Sequence, residues 1–137
     1  MRPYMHKVHY YETDQMKITH HSNYIRWMEE ARIDYLDQIG FGYDRIEAEG
    51  IISPIISVHC DYKKSTTFND VVQIDIHIQE YKGTRLTLGY TMTNFNTKEV
   101  VAVGETTLCF LNKEGRPVIL KKENPELDTL LKQQGQD

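Results

Sequence analysis

Three runs of strict alternation limit what this chain can become. Ile56, Val58, Cys60 and Tyr62 alternate with Ser57, His59 and Asp61. Val72, Ile74, Ile76 and Ile78 alternate with Gln73, Asp75, His77 and Gln79, and Leu86, Leu88, Tyr90 and Met92 alternate with Arg85, Thr87, Gly89 and Thr91. Successive strand side chains point to opposite faces, so a period of two predicts strands with one buried face. A fourth run, EVVAVGETTLCFL over 99–111, is apolar on both faces, as a central or interface strand is. FND, YKGT, FNTKE and NKEGRP supply turn chemistry between and after these runs. The expectation is four consecutive strands joined by hairpins.

Upstream the period is helical. Tyr24, Met28, Ala31 and Tyr35 form an i, i+4, i+7 stripe, widened by Trp27, Leu36 and Ile39. Ser22 or Asn23 offers a capping side-chain oxygen, and Gly40 suits the position just past the helix end. YDRIEAEG adds one or two helical turns stopped at Gly50. MHKVHYY, residues 5–11, reads as an aromatic-rich strand. After Pro125, Leu127, Leu130 and Leu131 predict a short amphipathic helix. The order strand, long helix, strands is an α+β layout, with an antiparallel sheet curled around one long helix. A single domain over residues 1–137 is expected, long enough for a core without staples.

Charge narrows the function classes. Sixteen basic and twenty acidic residues give a formal charge of −4, which disfavours general nucleic-acid binding. Cys60 and Cys109 lie in apolar runs outside any CxxC pair and read as small buried hydrophobes. No stretch is long and apolar enough to predict a membrane span, and MRPYMHKVHYYETD has no apolar leader region, so the expected location is the cytoplasm.

The segment ETDQMKITHHSNYIRWMEEAR, residues 12–32, sets Asp14 ahead of a helix N-terminus with His20 and His21 between. Adjacent histidines do not readily share one ion, no HExxH spacing is present, and His6, His9, His59 and His77 are scattered along strands. No metal and no cofactor are expected. An aspartate in water is ionised at neutral pH and can attack a carbonyl or activate a water. A helix N-terminus supplies unpaired N–H groups and about half a positive charge, which polarise a carbonyl and stabilise an oxyanion.

YYETDQM, then HHSNYIRWMEEARIDYLDQIG, CDYKKSTTFNDVVQI and GETTLCFLNKEGRPV stand in an order and spacing that resembles the hotdog fold. More narrowly, the chain resembles the small bacterial acyl-CoA thioesterase branch of the 4-hydroxybenzoyl-CoA thioesterase family. The resemblance implies that Asp14 is the catalytic carboxylate and that the backbone N–H groups near Asn23 and Tyr24 hold the thioester carbonyl. His21 matches a histidine common in this branch, which implies a pocket-lining place and a catalytic or orienting role. Dimers with a shared sheet, often paired into tetramers, and active sites between subunits are implied as well. One position departs from the pattern: many relatives carry glycine where Lys17 stands, and glycine permits positive φ.

Coenzyme A carries phosphates, and Lys63, Lys64, Lys82 and Arg85 are the basic residues available to meet them. The leading reading is hydrolysis of an acyl-CoA, with acyl carrier protein as another possible donor. A non-catalytic acyl-CoA-binding module is the alternative. A hydratase is a third, without a block that resembles such families.

Overall fold

The computed structural model describes residues 1–135. Five strands form one antiparallel sheet: β1 (Tyr4–Lys7), β2 (Ile55–Tyr62), β3 (Val71–Tyr81), β4 (Arg85–Asn94) and β5 (Val100–Cys109). The helices are α1 (Ser22–Gln38), α2 (Tyr43–Ala48), α3 (Leu120–Glu123) and α4 (Pro125–Gly135). The expected α+β layout is present, and no described helix is long and apolar enough to cross a membrane.

The long-helix stripe behaves as its spacing dictates. Trp27, Met28 and Ala31 are buried, joined by Tyr24, Tyr35 and Leu36, and they pack with Leu86, Leu88, Tyr90 and Met92 of β4 in one core. Gly104 on β5 lets α1 come close: a Cβ there would fall 2.2 Å from Met28 Cε. Gly40 takes φ +87° just beyond α1, and its N–H bonds the Asp37 carbonyl at 3.1 Å. Leu127 and Leu131 of α4 are buried, and Tyr81 of β3 donates to Asp128 Oδ1 at 2.6 Å to dock that helix.

Four expectations need correction. The strands are not joined hairpin by hairpin. The spatial order is β1-β3-β4-β5-β2, so β2 pairs with β5 at the far edge. Residues 63–70 carry the chain from β2 back to β3. Three inter-strand gaps of about 4.8 Å are about 14 Å, and eight extended residues reach roughly 27 Å. Alternation identifies a strand's faces but not its neighbours. Consequently β2 is an edge without a buried face, leaving Ile56, Val58 and Tyr62 exposed.

Second, the first strand ends at Lys7, and Tyr10–Glu12 form a 3-10 turn. Glu12 causes this by reaching back to accept the His9 N–H at 2.8 Å. Third, neither Ser22 nor Asn23 caps α1. His21 occupies the cap position with helical φ and ψ and makes no side-chain cap bond. Fourth, Cys60 and Cys109 are only partly buried, because both lie towards the thinly covered β2 side.

Candidate active site

The end of β1, the start of α1, the end of β2 and the crossover 63–70 meet at one end of the sheet. The crossover is tied in by Thr19 N–H to the Thr66 carbonyl (2.8 Å) and by Tyr24 Oη to Thr66 Oγ1 (3.0 Å). Thr66 Oγ1 in turn lies 2.6 Å from Thr19 Oγ1. These bonds wall a cleft of about 460 Å³ lined by Asp14, His21, Tyr24, Tyr62, Lys63 and Lys64, with Met16 and Ile18 on its apolar side.

Asp14 sits in a tight reversal. Its N–H bonds the Ile18 carbonyl, its carbonyl accepts from Lys17 N–H, and its Oδ1 accepts from Met16 N–H at 2.8 Å. This side-chain-to-backbone turn is what short acidic residues favour. The other oxygen, Oδ2, has no hydrogen-bond partner among the described residues. Lys17 adopts φ +67°, the left-handed conformation that suits glycine, and its carbonyl accepts from Thr67 Oγ1 at 2.7 Å. The reversal therefore forms with lysine at that position.

The helix start differs from the expectation of free donors. Asn23 N–H bonds the His20 carbonyl at 3.0 Å and Tyr24 N–H bonds the His21 carbonyl at 3.2 Å. Because the cap residue is already helical, these amides close i→i−3 bonds and are not left unpaired. Their side chains are structural. Asn23 is buried and donates to the carbonyls of Glu12 (3.0 Å) and His20 (3.2 Å), while Tyr24 is 3% exposed in the core.

His21 is exposed, stacked on His20 at 4.3 Å and 6.1 Å edge-on from Tyr62. Tyr62 donates its hydroxyl to the His21 carbonyl at 3.1 Å. Burial first, then Cys60 beside it, pushes the Tyr62 phenol up to about 12, so it remains a neutral donor at working pH. Lys64 pairs with Glu99 at 3.3 Å on the cleft rim.

Lys82 and Arg85 are elsewhere. Tyr62 lies opposite Ala102 and Arg85 opposite Cys109, seven residues along β5, or roughly 23 Å at about 3.3 Å per residue. They flank the β3–β4 turn at the other end of the sheet.

Tyr62, Thr66 and Glu12 were missed by sequence reasoning. Tyr62 and Thr66 act only because the crossover returns over the helix start, which no local spacing announces. Glu12 is 5% exposed beneath the site and accepts from His6, His9 N–H and Trp27. Burial favours its neutral form, but those donors outweigh burial and hold its carboxyl below the ordinary glutamate range. His6 and His9 thus converge on Glu12 instead of lying scattered.

The chain matches the thioesterase-like superfamily over residues 8–134. It is 29% identical to YneP of Bacillus subtilis, named as a candidate acyl-CoA thioesterase, across 90% of this chain and 89% of that one. It is 26% identical to the 1,4-dihydroxy-2-naphthoyl-CoA hydrolase of Thermosynechococcus vestitus, across 80% and 75% of the two chains. The crystal structure of a DHNA-CoA thioesterase from Staphylococcus aureus superposes with a TM-score of 0.91 at 29% identity, covering 96% of this chain and 89% of that one. With the family match spanning residues 8–134, the chain belongs to the hotdog-fold thioesterase-like superfamily.

Proposed function

We propose that this protein hydrolyses the thioester of an acyl-CoA to a free acid and CoA. The observation that carries the reading is Asp14: a carboxylate with one unpartnered oxygen, in a cleft that also holds the first turn of α1 and two lysines. Asp14 attacks the carbonyl or activates the attacking water. The oxyanion takes the Tyr24 N–H, whose 3.2 Å bond to the His21 carbonyl is long enough to be shared, as three-centre bonds at helix ends are. Met16, Ile18 and the Tyr62 ring receive the acyl group, and Lys63 and Lys64 face the CoA phosphates.

The same reading includes assembly. Beyond β5, the eight-residue β2 presents an open edge with Ile56 and Val58 exposed, a surface suited to pairing with a second copy. A dimer, itself paired into a tetramer, would set the sites between subunits. In it, Lys82 and Arg85 would serve a neighbour's substrate and not their own chain's.

One observation favours a second reading. The occupied amides of Asn23 and Tyr24 suit a module that binds acyl-CoA without cleaving it. Thiol release from short, long and aromatic acyl-CoAs separates the two, with wild type beside Asp14→Asn. The expected result is release cut by roughly 10²–10⁴-fold in the variant, with oligomeric state unchanged. Binding of CoA esters by folded protein without any release, including from an acyl carrier protein donor, would establish the binding module.

A further inference from the structure

Beneath the Asp14 loop, ligand atoms of His6, His9 and Glu12 all lie within 4.8 Å of one another. We propose that these three residues bind a divalent cation of the zinc type, a site separate from the thioester chemistry and independent of it.

His6 is buried and has a carboxylate at both ring nitrogens. Nε2 lies 2.9 Å from Glu12 Oε1 and Nδ1 lies 3.3 Å from Glu30 Oε2. A neutral imidazole has one N–H and one lone pair. Whichever nitrogen carries the hydrogen, the other contact sets a lone pair against a carboxylate oxygen. A second positive centre relieves this, and the two candidates are a proton and a metal ion.

The surroundings suit the metal. Glu30 accepts from Tyr4 Oη at 3.0 Å, so it is held in place behind His6. A carboxylate on the outer nitrogen of a ligating histidine fixes the tautomer and turns Nε2 towards the ion. Glu12 is oriented by Trp27 Nε1–H at 2.7 Å and by His9 N–H at 2.8 Å. A carboxylate has about four lone-pair sites, so Glu12 can ligate without surrendering either bond. His9 is exposed, which gives the ion a way in and leaves a position for water. Two imidazoles and one carboxylate with an open position suit zinc among divalent ions. Where a proton lies between His6 and Glu12, binding displaces it to solvent. The bound ion would tie β1 to Glu12, whose carbonyl also accepts from Asn23 and His20.

Trp27 reports on the site directly. It is the only tryptophan in the chain, and its ring lies 4.6 Å from His6. The experiment takes the untagged full chain, stripped with chelator, and titrates it with zinc chloride and then nickel chloride. Tryptophan emission, melting temperature and bound metal per chain are recorded. The expected result is one zinc per chain, a saturable emission change and a raised melting temperature. His9→Ala spares the buried residues and abolishes all three. Glu30→Gln weakens binding by roughly 10–100-fold. The stacked His20–His21 pair is the competing location, and replacing both with alanine leaves the response intact. The proposal is overturned if folded protein takes up no zinc, which assigns the His6 contacts to a proton alone. It is equally overturned if the response survives His9→Ala or disappears with the His20 and His21 replacements.

Discussion

Glu12 is 5% exposed and takes three donors on its two oxygens. Asp14, two residues on, is half-buried in the cleft wall, with Met16 N–H on one oxygen and, among the described residues, nothing on the other. The same functional group is a structural bolt in one place and a candidate reagent in the other. What separates them is the direction from which donors arrive. Glu12 is met by β1 and by α1. Asp14 projects past the end of both, where only its own loop can reach it. Asp14 keeps an unpartnered oxygen among the described residues because the donors of β1 and α1 are directed at Glu12 and not at it.

The largest test of that division exchanges the two losses. Glu12→Ala strands the buried Trp27 N–H and leaves His6 and the His9 N–H without their acceptor, so chemical denaturation should show a loss of about 3 kcal/mol, from more than one donor at about 1–3 kcal/mol each. Asp14→Asn should shift stability by no more than about 0.5 kcal/mol while removing thiol release. Equal stability losses in the two variants would erase the distinction. Acid sharpens it. The folded Glu12 carboxyl titrates below its ordinary value of 4.5. Its contribution is therefore fully present above that value and is lost as pH falls through the lower folded one. The stability gap between wild type and Glu12→Gln, measured by urea melts, should be constant near neutrality and close only below pH 4.5.

Asn23 joins the two regions, and its loss should be smaller. Its amide bonds the carbonyls of both Glu12 and His20. Asn23→Ala removes both side-chain bonds while the His20 and Asn23 backbone N–H groups still serve those carbonyls, at about 1 kcal/mol. It should also slow thiol release, because the connector carrying His21 loses its anchor. Unchanged kinetics together with lost stability would confine Asn23 to the Glu12 side.

How much of this was legible depends on what each signal encodes. The α1 stripe and the β3 and β4 alternations encode burial, and Trp27, Met28, Leu88, Tyr90 and Met92 are buried as read. Asp14, His21 and Tyr24 were named through family resemblance and Lys63 and Lys64 through their charge; that the five line one cleft came only with the fold. The position of β2 was not, because its apolar residues alternate like those of a covered strand and the eight-residue crossover contains an ordinary turn signal. The role of Glu12 was hidden for a related reason: its donors come from three separate segments. The engagement of the Asn23 and Tyr24 amides depended on His21 being helical, which no capping preference foretells.

Lys17 provides the smallest and most local test. It holds φ +67°, and the left-handed region costs a residue with a Cβ roughly 1–2 kcal/mol. Glycine removes that cost but gives the unfolded chain extra freedom worth about 0.5–1 kcal/mol. Lys17→Gly should therefore stabilise the protein by roughly 0.75 kcal/mol, the difference between the midpoints of those ranges. The lysine side chain is exposed and makes no hydrogen bond or ion pair among the described residues, so the reversal should survive: the N–H at position 17 still reaches the Asp14 carbonyl, and the carbonyl there still accepts from Thr67. Stabilisation with thiol release unchanged would show that the Asp14 loop is set by backbone geometry alone. Stabilisation with a changed acyl-CoA preference would give the lysine charge a part in the cleft. A loss of stability would mean that the left-handed turn is not strained, and that the Asp14 loop rests on something other than its own hydrogen bonds to Met16, Lys17, Ile18 and Thr67.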